Sequence, residues 1–255
     1  MNEAGARNKA KHILEQACIT KPNELSLEEL ILFLDGPEIV FEDMVEYEGK
    51  FMSLGNSSII KVNSKIKNEG RKRFTLAHEL GHFILHRNKG FINCKINDLF
   101  DWYGRKQIET EANYFASEIL MPTEIFNRLT KGKRFSLNLL KELADSFNTS
   151  LTSTAIRFVQ EGYDPIFLIC SKDQKILWKQ VNKDFNFFID FKNLKEIPNT
   201  SVTFEKISKG IQYDDSQEIN PMDWLIEDKN NEFKFFEDSI DLEYYGYTLT
   251  FISVR

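Results

Sequence analysis

Cysteine, histidine and proline are scarce in this chain, and positive charge is in deficit. Three Cys among 255 residues, with no Cys-x-x-Cys pair, argue against a disulfide framework and against a structural zinc site built on thiolates. Cys18, Cys94 and Cys170 stand apart from one another, which fits a reducing compartment, the cytoplasm. No apolar run approaches the ~20 residues of a membrane span. The first eleven residues are polar and lack the apolar core of a secretion signal. A formal net charge of −6 argues against nucleic acid as the main partner. No repeat or low-complexity tract interrupts the chain. What remains is a globular composition, rich in Phe, whose length predicts one large or two modest domains. Oligomeric state is not legible at this level.

Of the four His in the chain, three fall within nine residues, at His78, His82 and His86. The first two lie in the run Arg73-Phe74-Thr75-Leu76-Ala77-His78-Glu79-Leu80-Gly81-His82, and His86 follows four residues later. The spacing of Phe74, Ala77, Leu80, Phe83, Ile84 and Leu85 predicts a buried helix. Three titratable rings on such a helix are costly unless something satisfies them. His78 and His82 are four residues apart, on one face and about 6 Å apart along the axis. Both imidazoles can reach one Zn²⁺. Glu79 is rotated away from that face and suits the role of base toward a metal-bound water. His86 lies one turn further, about 6 Å more along a rigid helix. The glycine that would turn the chain back toward the ion is absent. His86 therefore reads as a packing or hydrogen-bonding residue.

A hydrolytic zinc site needs a third protein ligand and an open position. A second helix is predicted from residue 107, with Ile108, Ala112, Phe115, Ala116, Ile119 and Leu120 at helical spacing and Pro122 ending it. Two carboxylates compete there. Glu109 and Glu111 lie about 200° apart around the helix and cannot both face one ion. Glu109 shares its face with Asn113, an amide able to hydrogen-bond a ligating His. Glu111 shares its face with Phe115 and reads as a solvated surface residue. Glu109 is the expected third ligand, with Asn113 supporting a His.

The His78-to-His82 motif, the run Glu109-x-Glu111-Ala112-Asn113-x-Phe115-Ala116 and Leu120-Met121-Pro122 together resemble the ImmA/IrrE family of metallo-endopeptidases. The resemblance is strong over residues 59–122 and thins on either side. It implies zinc held by His78, His82 and Glu109, with Glu79 as catalytic base. It also implies an intracellular protease whose partner is a protein substrate, a helix-turn-helix transcriptional repressor of mobile-element or stress genes.

The expected fold class is α+β: a zincin-like core of helices and a small antiparallel sheet, a helical hairpin, and a C-terminal β-rich domain. Residues 1–162 are assigned to the peptidase domain and residues 163–255 to a regulatory or substrate-binding domain. Helices are predicted over residues 4–18 and after a Ser26 cap, the latter burying Leu27, Leu30, Ile31 and Leu34. Short strands are predicted at 39–41, 51–54 and 59–62. Residues 58–63 are expected to form an edge strand able to pair with an extended substrate. Residues 88–105 read as a loop, in which Tyr103, like Tyr114 beyond it, is a candidate to stabilise an oxyanion. The basic cluster Lys61, Lys65, Lys67, Arg71, Lys72 and Arg73 reads as a solvated loop and helix start.

The hairpin at residues 135–160 has the outline of a helix-turn-helix, but its second helix carries Arg157 as its only cation. That argues against DNA binding, and packing against the peptidase core is the better reading. Beyond residue 163, β-type runs at 166–170, 175–178, 185–191, 202–207 and 247–254 predict the second domain, and residues 214–243 are strongly acidic.

Overall fold

The computed structural model describes residues 2–95, 107–226, 233–242 and 246–255, with no account of the side chains of 93–95. The chain forms two compact units. The first comprises residues 1–128 and 143–153, the second residues 129–142 and 154–255. The class is α+β. Among the described residues no helix is long and apolar enough to cross a membrane.

In the first unit, helices α1 (Glu3–Gln16) and α2 (Leu27–Phe33) precede three strands, β1 (Glu38–Glu42), β2 (Tyr47–Leu54) and β3 (Ser57–Asn63). Ser26 caps α2 in a reciprocal capping box with Glu29, as its sequence foretells. Then come α3 (Glu69–His86), β4 (Phe91–Lys95) and α4 (Gln107–Leu120). The sheet order is β1-β3-β2-β4. β1 runs parallel to β3, while β2 is antiparallel to both β3 and β4. The sheet is thus mixed rather than antiparallel. β3 is central, because both its edges are used, and the expected edge strand at 58–63 is corrected accordingly. The edges are β1 and β4, and β4 occupies part of the stretch expected to be loop. Phe51 of β2 and Ile60 and Val62 of β3 are fully buried. The sheet packs on α3, and α3 packs in turn on α4.

Of the basic cluster, only Lys67 is simply exposed. Lys61 pairs with Glu42, Lys65 with Asp43 and Lys72 with Glu69. Arg71 is buried in a 2.7 Å pair with Glu48. Arg73 Nη1 donates to Asn23 Oδ1 and to the carbonyls of Phe147 and Asn148. Those carbonyls end α6 (Leu137–Phe147) and open the corner before α7 (Leu151–Glu161), which follow α5 (Thr123–Thr130). A Cβ on Gly70 would fall 2.3 Å from the Thr149 carbonyl carbon. The corner therefore rests on the backbone of the first turn of α3. Arg157 has no exposed surface, and Ser153 to Val159 are all buried. The one cation of α7 has no route to a phosphate.

The second unit contains a five-stranded antiparallel sheet, order β6-β5-β9-β8-β7. Its strands are β5 (Ile166–Lys172), β6 (Lys175–Val181), β7 (Gln217–Ile219), β8 (Phe235–Leu242) and β9 (Tyr247–Val254). Asp173 and Gln174 both take positive φ, 48° and 67°, the conformation of a tight two-residue hairpin turn. Phe167, Ile169, Phe235 and Ile252 form the core with Trp224 and Phe185. Residues 202–207, expected as strand, lie in α8 (Val202–Lys209). Ser201 caps that helix, and Gly210 in the left-handed region ends it. These termini override the β-branched and aromatic content. Residues 185–191 are irregular rather than extended, yet contribute Phe185 to the core.

Candidate metal centre

α3 begins at the Asn68 cap, whose side chain accepts from Arg71 N–H. Arg71, Thr75, His78, Glu79, His82 and His86 are all buried along it. A polar stripe through a buried helix needs a partner for each member. Neighbouring elements supply partners for Arg71, His78, His82 and His86, and Thr75 bonds within the helix to the Arg71 carbonyl.

α4 lies close to α3 because position 81 is Gly: a Cβ there would sit 3.2 Å from both Ala112 Cα and Phe115 Cδ1. This proximity brings Glu109 and Asn113 against the two histidines. His78 Nε2 is 3.2 Å from Glu109 Oε2, and His82 Nε2 is 3.3 Å from the same oxygen. The two Nε2 atoms are 3.0 Å apart. His78 Nδ1 lies 2.9 Å from Asn113 Oδ1. A carbonyl oxygen only accepts, so Nδ1 carries the proton and Nε2 turns a lone pair toward Glu109 and His82.

Three donor atoms thus form a triangle with edges of 3.0, 3.2 and 3.3 Å. A tetrahedral zinc with bonds of about 2.05 Å spaces its ligand atoms about 3.3 Å apart. The donor set of two imidazoles and one carboxylate suits that ion, and its atoms all lie within 4.8 Å of one another. The residues present fit the group.

Electrostatics agree with a cation-binding cluster. Burial opposes charge on Glu109, but its interactions with the His78 and His82 rings outweigh it and hold the carboxyl far below its usual range. Burial lowers His82 to about 4, opposed in part by Glu109. Burial also works against charge on His78, but Glu109 and Glu79 together raise it.

Glu79 has no exposed surface and faces β2. The pairing of β2 with β4 shifts register between Tyr47 and Gly49, so Glu48 and Gly49 both turn toward α3. Glu48 meets Arg71. Gly49 leaves room for Glu79, because a Cβ on it would lie 2.2 Å from Glu79 Oε1.

The structure brings together His78, Glu79, His82, Glu109 and Asn113, and also His86 and Glu111. Glu111 is 3% exposed, which corrects its reading as a solvated residue. Its Oε2 is 2.9 Å from His86 Nε2. His86 hydrogen-bonds rather than joining the donor triangle, as expected. Tyr114 is also buried, but its ring lies 4.8 Å beneath the Arg7 guanidinium of α1, about 140° around α4 from Glu109. Tyr103 lies outside the described residues. Gly49, Gly81 and the His86–Glu111 pair are the residues that sequence reasoning missed. The equal spacing of His78, His82 and His86 was the one available signal for the pair.

Residues 35–159 match the family model described as the IrrE N-terminal-like domain, a peptidase family. The matched residues support an ImmA/IrrE-family metallopeptidase. One family relative, the radiation response metalloprotease IrrE of Deinococcus deserti, is 31% identical over 143 residues, 54% of this chain and 48% of that protein. The protein of the same name from Deinococcus radiodurans is 32% identical over 132 residues, 48% of this chain and 40% of that protein. The chain therefore spans about half the length of these curated relatives. Among solved structures, a Mycobacterium tuberculosis transcriptional regulator superposes with a TM-score of 0.62 at 14% identity, covering 98% of this chain and 75% of its own. That likeness concerns the fold alone.

Proposed function

We propose that this ImmA/IrrE-family chain is a cytoplasmic, zinc-dependent endopeptidase that cleaves a helix-turn-helix transcriptional repressor. The observation that carries the reading is the donor triangle of His78, His82 and Glu109 beside a buried Glu79. Relatives named as metalloproteases support hydrolysis, and their description as radiation response proteins supports a stress-linked regulatory substrate.

His78, His82 and Glu109 would hold the ion, which when bound supplies Lewis acidity toward a peptide carbonyl and makes a water more acidic. Glu79 accepts the proton of the attacking water and returns it to the leaving amine. Asn113 fixes the His78 ring with Nε2 as its donor. Residues 1–162 carry the chemistry in this reading, and residues 163–255 regulate it or bind substrate.

The test compares newly formed protein N-termini in host cells expressing wild type or Glu79→Gln, with and without DNA damage. New termini in one repressor-like protein, with wild type alone, are expected. Identical terminomes, with both proteins folded and zinc-loaded, would move the reading to a non-catalytic regulator binding DNA or a protein. Glu79→Gln is expected to keep its zinc, and Glu109→Ala to lose it. Loss of metal in Glu111→Ala but not in Glu109→Ala would reverse the ligand assignment.

A further inference from the structure

We infer that Glu111 and His86 form a positioning pair that selects which nitrogen of His82 faces the metal. The inference rests on His82 being a ligand, as proposed above. Its observation is a second, separate chain of hydrogen bonds running away from the donor triangle. Glu111 Oε2 lies 2.9 Å from His86 Nε2, and His86 Nδ1 lies 3.0 Å from His82 Nδ1. All three side chains are buried.

The direction of each bond follows from chemistry. A carboxylate only accepts, so His86 Nε2 carries the proton. In the neutral ring, His86 Nδ1 is then a lone pair and an acceptor. His82 Nδ1 must donate to it, which leaves His82 Nε2 unprotonated. That Nε2 is the atom 3.3 Å from Glu109 and 3.0 Å from His78 Nε2. Asn113 sets the same tautomer on His78 with one direct bond. His82 has a longer arm, carboxylate to imidazole to imidazole, reaching the same end. Outer partners of this kind commonly carry ten- to a hundredfold of metal affinity.

Glu111 is itself held in place. Gln107 Nε2 donates to its second oxygen at 2.8 Å. Glu109 and Glu111 therefore work on opposite sides of His82. The Glu-x-Glu spacing places one carboxylate at Nε2 of His82 and the other, through His86, at its Nδ1.

The experiment measures zinc affinity by chelator competition on the full chain, with the visible spectrum of the Co²⁺-substituted protein as a second readout. Glu111→Ala and His86→Phe are expected to bind one metal with affinity lowered about ten- to a hundredfold and with a changed Co²⁺ spectrum. Glu111→Gln keeps an acceptor for His86, since the exposed Gln107 amide can flip to oppose it. It is expected to restore most of the affinity, and it serves if Glu111→Ala misfolds. In the zinc-loaded wild type, imidazole ¹⁵N spectra are expected to show His82 protonated at Nδ1. Wild-type affinity and spectrum in Glu111→Ala and His86→Phe, while Glu109→Ala and His82→Ala lose the metal, would overturn this pair and leave the ligand set standing. Metal retained by Glu109→Ala and His82→Ala would overturn both.

Discussion

Gly49→Ala is the smallest change that reaches the proposed base without touching a proposed ligand. The added Cβ would lie 2.2 Å from Glu79 Oε1 and 2.8 Å from Thr75 Cγ2, whereas ordinary contact begins at 3.4 Å. One of three groups must yield. β2 is held on both sides, since Gly49 pairs with Val62 on β3 and with Cys94 on β4. Thr75 is fully buried, and its hydroxyl donates to the Arg71 carbonyl at 3.1 Å, so its methyl is fixed. The Glu79 carboxylate therefore yields, by about 1 Å. A misplacement of that size costs about a hundredfold in turnover, and the overpacking itself about 1–3 kcal/mol of stability. The assay is the rate at which the substrate's new N-terminus accumulates per folded enzyme, measured beside bound zinc. Turnover near that of Glu79→Gln with full zinc content is expected. Unchanged turnover, or lost zinc with a preserved fold, would refute the placement of Glu79 against β2.

Two further outcomes concern stability. Glu48→Ala leaves Arg71 buried without its carboxylate, so a loss of about 3–5 kcal/mol is expected in urea unfolding, while Glu48→Leu with Arg71→Met is expected to regain most of it; equal losses would refute the account. Burial holds the Glu237 carboxyl above its ordinary range, against hydrogen bonds from Thr203 and Trp224. A raised folded-state pKa stabilises at acidic pH and loses that contribution as pH rises through the raised value. The Tm gap between wild type and Glu237→Leu is therefore expected to narrow from acidic to neutral pH, and a widening gap would contradict it.

The candidate centre was largely legible because its parts are local. Two His one turn apart and an acid sharing a face with Asn113 are decided by helical geometry alone. Glu111 was misread because its partner, His86, is 25 residues away and meets it only through the close packing of α3 on α4. Gly49 escaped notice because a shift in strand register, not a periodicity, turns it toward Glu79. The central place of β3 depends on a parallel pairing with β1, which no hairpin signal announces. In residues 202–207, strand-favouring side chains spoke louder than Ser201 and Gly210, although these bound the helix.

The discontinuity of the first unit bears on how the chain is made. Every proposed ligand has been synthesised by residue 109. The first turn of α3, however, is held by residues 147–150, which follow a stretch that belongs to the second unit. Domains tend to fold as they emerge, N-terminal parts first, at about 5–20 residues per second. A nascent chain thus carries its donor set for some seconds before the helix bearing it is clamped. The order of synthesis leaves the start of α3 without these contacts until translation has passed residue 150.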